Sequence, residues 1–452
     1  MSEHTGLGWG GILRLGLVQT SLGAIVVLTT STINRIMVVE LALPAMIPGA
    51  LVALHYFVQI LRPRLGYGSD VGGRRTPWII GGMAVLGLGG FGAACSTALV
   101  PHSLTLGVAC ATVSFLLVGI GVGASGTNLL VLLARKTAPA RRPAAATIVW
   151  VMMIVGFIVT TAIVGALLDP FSLERLMFLT GVVGLIALAV TSVAVFGIES
   201  SVPDHATKQA PTSDAPEVGS AALPFREALL EVWSEDRARR FTLFVFASML
   251  AYSAQDLILE PFAGTVFGLT PGESTQLAGT QNSGVLLGMI VVALLGSRIG
   301  SPRSWTTGGC IASAFALLAL AVGGLDAARW PLSASVFALG LANGVFAVAA
   351  IGSMMSLVGE GHESREGLRM GLWGAAQALA FAFGGFAGTA AIDATRAWLA
   401  DPALAYGIVF CAEAVAFCIA AGLALWAMDA PRADRRNGQT APGAPLTALG
   451  GT

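Results

Sequence analysis

Twelve stretches of about 20 mostly apolar residues run through this chain, and each is long enough to cross a lipid bilayer as an α-helix. Hydrophobic residues make up 55% of the chain and charged residues only 11%, a balance that is typical of a polytopic membrane protein. The sequence therefore predicts an all-α integral membrane protein with twelve transmembrane helices. The expected spans are 11–38, 44–63, 76–98, 103–134, 145–168, 175–197, 241–268, 275–297, 304–323, 330–358, 367–392 and 403–428.

Basic residues are distributed unevenly between the loops that these spans define. Alternate loops carry most of them, namely Arg62, Arg64, Arg74, Arg75, Arg135, Lys136, Arg141, Arg142, Arg298 and Arg303. The intervening loops carry little more than Arg175, Arg329 and Arg396. Because cytoplasmic loops of membrane proteins are enriched in Lys and Arg, we expect both chain termini to be cytoplasmic.

A long polar interruption divides the twelve spans into two sets of six. We expect an N-terminal six-helix bundle over residues 1–197, a cytoplasmic linker over 198–240 and a C-terminal bundle over 241–428. Part of the linker, near 224–238, spaces its apolar residues on one helical face, which is typical of an amphipathic helix on a membrane surface. A short connector packed on the protein itself is the alternative. Residues 429–452 are predicted to be a disordered cytoplasmic tail.

The two halves of the sequence repeat one another. GRRTPWIIGG at residues 73–82 corresponds to GSPRSWTTGG at 300–309, and NRIMVVE, ending at Glu40, corresponds to AQDLILE, ending at Glu260. Trp150 with Trp373, and Gly119 with Gly340, fit the same register, so all offsets lie between 220 and 227 residues. Parallel six-helix repeats of this kind predict the major facilitator fold.

The loop after the second span, GYGSDVGGRR, resembles the loop signature of the major facilitator superfamily. The matching positions include Gly66, Asp70, Gly73, Arg74 and Arg75. A carboxylate at this place can cap a facing helix, glycines allow tight turns, and the arginines hold cytoplasmic charge. The resemblance implies a role in conformational gating, and an ordinary positively charged loop is the alternative.

Polar and charged residues inside the spans are the candidate functional residues, because a charge there costs about 2.5–3.5 kcal/mol on insertion scales. They are Asn34, Arg35, Glu40, His55, Asn128, Gln255, Asp256, Glu260 and Glu413. The repeat register makes Arg35 and Asp256 pseudo-symmetric neighbours, so we expect an ion pair between the first and seventh helices. Pro261 is expected to break or kink the seventh helix after Glu260.

Each of these residues also has an ordinary structural interpretation. Glu40 and Glu260 can be solvated helix ends, and His55 can be a buried histidine that is hydrogen-bonded to a neighbouring helix. Glu413 lies on a helix that is peripheral in this fold, so it can meet a partner protein or a lipid defect. The sequence shows no phosphate-binding loop with lysine, no nucleophile with a base and no zinc-ligand spacing, so we expect no enzyme and no nucleic-acid partner.

Three stretches together resemble the PucC/LhaA family of purple phototrophic bacteria, the bacteriochlorophyll-delivery branch of the major facilitator superfamily. They are LRLGLVQTSLGAIVVLTTSTINRIMVVEL, RPRLGYGSDVGGRRTPWIIGG and QDLILEPFAGTVFGLT. The most discriminating patterns are NR-x-M-x-VEL in the first span and D-x-x-LEP in the seventh. Phe262 and Ala263 depart from the Tyr and Gly that the family pattern would have.

The resemblance implies an assembly factor for light-harvesting antennae. Such a protein binds antenna α and β polypeptides, and its partners extend to the reaction centre–antenna complex. Its cargo would be bacteriochlorophyll or a precursor, held or delivered while the antenna ring forms. The polar residues of the first, second and seventh spans would then line a cleft that orients the pigment. His55 would be a candidate axial ligand to the chlorin magnesium through its neutral imidazole.

Two other functions stay open. A proton-coupled secondary transporter of a small solute would use Asp256 and Glu260 as protonation sites. A membrane scaffold that chaperones antenna helices would neither transport solute nor carry pigment.

Overall fold

The computed structural model describes residues 6–61, 74–138, 141–201, 233–296, 298–359 and 366–428. All regular secondary structure in these ranges is helical. The helices of the first half are α1 Trp9–Glu40, α2 Met46–Val58, α3 Thr76–Leu99, α4 Leu104–Lys136, α5 Arg142–Leu168 and α6 Leu173–Val195. Those of the second half are α7 Asp236–Phe267, α8 Pro271–Leu295, α9 Pro302–Leu325, α10 Leu332–Gly359, α11 Glu366–Trp398 and α12 Pro402–Ala427.

The predicted fold class is confirmed. Eleven of these helices are long and apolar enough to cross a membrane, and α2, with 13 residues, is shorter. A single 3₁₀ turn at Gln59–Leu61 follows α2. The 429–452 tail and most of the 198–240 linker, including 224–232 of its amphipathic stretch, lie outside the described residues. The proposed domain boundaries therefore stay a prediction.

Local sequence accounts for where several helices begin. Ser103, Ser172, Thr270, Ser301 and Asp401 each precede the first turn of a helix, and each side chain accepts a hydrogen bond from a backbone N–H of that turn. Such caps satisfy donors that have no partner within the helix. Proline at the first or second position of α8, α9 and α12 is compatible with the same end, because those N–H groups have no intrahelical acceptor.

The two halves pack in the same way. In the first half α1 packs on α5 and α6, α3 packs on α4 and α6, and α2 packs on α4. In the second half α7 packs on α11 and α12, α9 packs on α10 and α12, and α8 packs on α10. Each contact in one half thus has its counterpart six helices later. Between the halves, α5 packs on α8 and α2 packs on α11, and these two contacts are also equivalent.

Individual residues of the sequence repeat occupy equivalent places. A Cβ at Gly82 would lie 2.5 Å from the Ser125 nitrogen of α4, and one at Gly309 would lie 2.6 Å from the Phe346 nitrogen of α10. Both glycines therefore permit close helix packing. The tryptophans of the repeat differ in environment, since Trp150 is 41% exposed whereas Trp373 is 1% exposed and contacts Phe241.

The neighbouring glycines of α9 provide a test of this packing. Gly309→Ala should lower stability by about 1–3 kcal/mol, because the added methyl group meets the α10 backbone. Gly308→Ala is the matched control, since an added Cβ there has no atom within 4 Å. Thermal unfolding of the two detergent-solubilised variants measures the difference. Equal unfolding temperatures would contradict the close α9–α10 packing.

Candidate functional site between the two helix bundles

The inner part of α1 is wound irregularly. Two π-helical turns, Leu28–Thr32 and Ile36–Glu40, flank a short α-helical segment. The TTST sequence contributes to this, because Thr29 and Thr30 both donate hydroxyl hydrogen bonds to the Val26 carbonyl, at 2.9 and 3.0 Å. Hydroxyl groups that bond to carbonyls of their own helix compete with its regular winding. Wide turns of this kind redirect the side chains that follow, and they often occur at functional sites.

Side chains of this irregular segment bond directly to the second bundle. The Ser31 hydroxyl donates to the Glu260 carboxylate of α7, and the hydroxyls of Thr32 and Thr275 lie 3.2 Å apart. The Asn34 amide nitrogen donates to the Leu257 carbonyl of α7 at 2.7 Å. Of the predicted residues, Asn34 and Glu260 are therefore brought to one place, at the centre of the bundle interface.

Arg35 is almost fully buried, but its partner is not the one that the repeat register predicted. Its guanidinium donates to Glu40 at 2.6 Å and to the Leu269 carbonyl at 2.6 Å, and it forms no ion pair with Asp256. The expected Arg35–Asp256 pair is therefore wrong. The physical reason is the second π-helical turn, whose wider winding brings Glu40, five residues on, over Arg35. Gly264 leaves room for the guanidinium, since a Cβ there would lie 2.9 Å from an Arg35 nitrogen.

Two further carboxyl groups lie inside the second bundle. Asp256 is half-buried and has no hydrogen-bond or ion-pair partner in the described part of the chain. Glu413 of α12 is 5% exposed, and neither of its oxygens has a hydrogen-bond partner among the described residues. α12, which carries Glu413, packs on α7, which carries Asp256. Glu413 is thus enclosed within its own bundle in this structure, whereas the sequence had left open a contact with a partner protein or with a lipid defect.

α7, the helix that carries Asp256 and Glu260, also differs from expectation. α7 continues without a break past Pro261 and ends at Phe267, before Gly268 with a positive φ of 69°. The expected break after Glu260 is therefore wrong, and the alternative, a kink at this place, stays a prediction. Irregular winding occurs in α1 instead, in the segment that faces α7.

His55 is enclosed by its surroundings. It lies on α2 with 1% of its surface exposed, and its Nε2 is 3.1 Å from the Gln59 amide nitrogen. Its ring contacts Tyr56, and Tyr56 in turn contacts Phe381 of α11 across the bundle interface. In this conformation the imidazole does not fit axial ligation of a chlorin from outside, because the α2 environment covers it. Ligation by His55 stays a prediction that would require these contacts to open.

Two aspartates that sequence reasoning missed join the bundles at one face. We define the distal face as the one formed by loops 41–45, 100–103, 169–172, 268–270, 326–331 and 399–401. Asp393 of α11 accepts hydrogen bonds from the backbone nitrogens of Ala45 and Met46, at 2.9 and 2.8 Å, where α2 begins. Both bonds join the two bundles, so Asp393 of the second bundle caps α2 of the first.

Asp169, directly after α5 of the first bundle, likewise accepts hydrogen bonds at the start of α8 of the second bundle. It accepts from the Thr270 hydroxyl at 2.6 Å and from the Gly272 nitrogen at 3.2 Å. The two aspartates are 224 residues apart, within the offset range of the sequence repeat. Acids at equivalent positions of the sequence repeat were therefore a usable signal. Each carboxylate also lies at the positive end of a helix dipole, which favours it.

The signature loop can be described only in part. Gly66, Asp70 and Gly73 lie outside the described residues, so the gating role stays a prediction. Arg74 and Arg75 precede α3, whose N-terminus is capped by Glu199. This carboxylate accepts from the Arg75 and Thr76 nitrogens, at 2.6 and 3.1 Å. Glu199 follows α6, so this cap ties the ends of two helices within the first bundle.

Comparison with known proteins identifies first the fold and then the family. The chain resembles the crystal structure of the nucleoside transporter NupG with a TM-score of 0.63 and 13% identity, over 92% of this chain and 98% of that one. It therefore has the fold of major facilitator membrane transporters. The model of the PUCC protein family matches residues 32–429, and the chain belongs to this family.

Two relatives from Rhodobacter capsulatus illustrate the range of similarity. The chain is 53% identical over 432 residues to the protein called Bacteriochlorophyll synthase 44.5 kDa chain, covering 95% of this chain and 98% of the relative. It is 29% identical over 392 residues to Protein PucC, covering 82% of this chain and 81% of that protein. Family and fold thus agree with the resemblance in the sequence.

The distal aspartates provide a second test. In an Asp169→Asn, Asp393→Asn double variant the amides near Ala45 and Gly272 should exchange hydrogen about tenfold faster or more, because two charged caps are weakened. Hydrogen-exchange mass spectrometry of the two loop segments measures this. Asp401→Asn is the matched control, since Asp401 caps only its own helix by accepting from Ala403 at 2.8 Å. Unchanged exchange in the double variant would show that the caps do not hold the face together.

Proposed function

We propose that this protein is an assembly factor for light-harvesting antennae that binds antenna polypeptides and holds bacteriochlorophyll, or a precursor of it, for delivery. One observation carries the proposal: the chain belongs to the PucC family over residues 32–429. The name of its 53% identical relative, which refers to bacteriochlorophyll, supports a link to this pigment. The protein would act in the bacterial cytoplasmic or intracytoplasmic membrane with both termini in the cytoplasm.

The hydrogen bonds between the bundles favour a protein that holds its cargo over one that transports a solute by alternating access. Ser31, Thr32 and Asn34 bond across the centre, while Asp169 and Asp393 bond across the distal face. Alternating access requires one bundle to rock against the other, so these bonds would have to break in each cycle. A protein that holds cargo at its surface needs no such cycle.

We also propose that the protein is not itself an enzyme. In the described ranges no group of three or more His, Cys, Asp or Glu side chains could hold a metal ion. The synthase name of the relative is compatible with an accessory role beside pigment synthesis, in which the protein receives what an enzyme makes.

Purification from a pigment-making phototroph tests the proposal. The protein in mild detergent should carry a near-infrared chlorin band at defined stoichiometry, together with antenna polypeptides. Absorption spectroscopy and mass spectrometry of the purified complex measure both. A His55→Leu variant should keep the band, because the imidazole is enclosed; loss of the band from the folded variant would instead identify His55 as the ligand.

The other outcomes separate the alternatives. Antenna polypeptides without pigment would identify a scaffold, and neither pigment nor polypeptides would refute the assembly function. Proton-coupled transport has one observation in its favour, because Asp256 and Glu413 lie within the spans without a basic partner among the described residues. It would require solute uptake into vesicles that follows a pH gradient and is lost in Asp256→Asn.

A further inference from the structure

An apolar groove runs along the outer surface of the second bundle, between α9 and α10. Its volume is about 850 Å³. It is open on its outer side, since Phe315 at one end is 68% exposed and Ile299 at the other is 58% exposed. Small side chains form its floor and larger ones its ends, and the principal lining residues are Trp305, Gly308, Ala312, Phe315, Ala338 and Ala342.

The floor of the groove is flat because small residues recur along α9. Ser304, Gly308, Ala312 and Ala316 follow one another every four residues, so they lie on one face of the helix. A Cβ added at Gly308 would have no atom within 4 Å, which shows that the space above it is open. α9 and α10 come close at Gly309, and Leu341 and Val345 of α10 complete the lining.

Positive charge lies at one end of the groove. Arg298, which is exposed, directly precedes the lining residue Ile299 in the turn before α9, and Arg303, in the first turn of α9, directly precedes Ser304; the arginines lie beside the groove and do not line it. Trp305 is fixed at this end because its indole nitrogen donates to the Ile299 carbonyl at 2.6 Å. The lining itself is almost entirely apolar, so the groove combines an apolar bed with a cationic end.

The size of the groove decides what kind of occupant it fits. Its length from Ser304 to Phe315 is about 16 Å at the rise of an α-helix, about half of the roughly 30 Å that a transmembrane helix needs. Its volume is in the range of small-molecule sites, about 300–1,000 Å³. A flat, apolar molecule with an anionic substituent is therefore a better match than a partner helix.

We propose that this groove binds a tetrapyrrole pigment that bears a free carboxylate, with the ring on the floor and the carboxylate at Arg298. The inference rests on the proposed function and adds the place and the chemical form of its cargo. The lining offers no imidazole or carboxylate to the magnesium ion of such a ring. The pigment would be held by its apolar area and its charge, and it could pass sideways to a partner that supplies a magnesium ligand.

Direct binding to the purified full-length protein in nanodiscs tests the groove. The probes are pheophorbide a, a chlorin with a free carboxylate, and its methyl ester. Gly308→Leu should weaken binding of the acid about tenfold or more, because the side chain fills the floor. Gly422→Leu is the control, since Gly422 on the outer face of α12 is equally open. Arg298→Gln should weaken binding of the acid about three- to tenfold and leave the ester unchanged.

Other results would overturn the proposal. Wild-type affinity for the acid in a folded Gly308→Leu variant would exclude the groove as the site. Displacement of the probe by anionic phospholipid at equimolar amounts would show that the groove takes a lipid. Loss of antenna polypeptides from Gly308→Leu with unchanged pheophorbide binding would show that it takes a helix.

One comparison separates this inference from the function itself. If protein from the pigment-making host carries pigment in both wild type and Gly308→Leu, the groove is refuted and the assembly function stands. If the wild type carries neither pigment nor antenna polypeptides, the assembly function itself is refuted.

Discussion

The arrangement of the two bundles depends on two carboxylates that cap helices belonging to the opposite bundle. Asp393 holds the start of α2 and Asp169 holds the start of α8, so the first turn of each helix is completed by a residue from across the interface. Helix N-termini concentrate unpaired N–H groups and positive dipole charge, so a carboxylate there is favoured on both counts. Separating the bundles at this face would remove both carboxylates from these helix ends, and only α8 would keep a side-chain cap, from its own Thr270.

The irregular segment of α1 extends the same constraint to the centre. Its wide turns direct Ser31, Thr32 and Asn34 toward the second bundle. They also place the Glu40 carboxylate where it forms a salt bridge with Arg35. Arg35 also donates to Leu269, in the connection between α7 and α8. These polar groups join helices of the two bundles. The bonds at the centre and at the distal face together favour a rigid pair of bundles, and the proposed cargo site lies on its outer surface.

Much of the fold followed from the sequence, because apolar length defines spans and the repeat register defines which helices are equivalent. Gly82 and Gly309 confirm that register at the level of single contacts. The ionic contacts could not be predicted from the sequence in this way. The partner of Arg35 depends on π-helical winding, which the residue pattern alone does not reveal. Likewise, the roles of Asp169, Asp393 and Glu199 depend on which helix ends meet, and that is decided by packing between distant segments.

The distance between the bundles at the distal face tests the central claim of a rigid pair most directly. Spin labels at His102, after α3, and Ala328, after α9, would lie on exposed distal loops of different bundles. Double electron–electron resonance in nanodiscs, over a range of pH and with pheophorbide a present or absent, measures the distance distribution. A rigid pair predicts one narrow distribution under all conditions. Two populations that exchange with pH or ligand would contradict it and would establish alternating access.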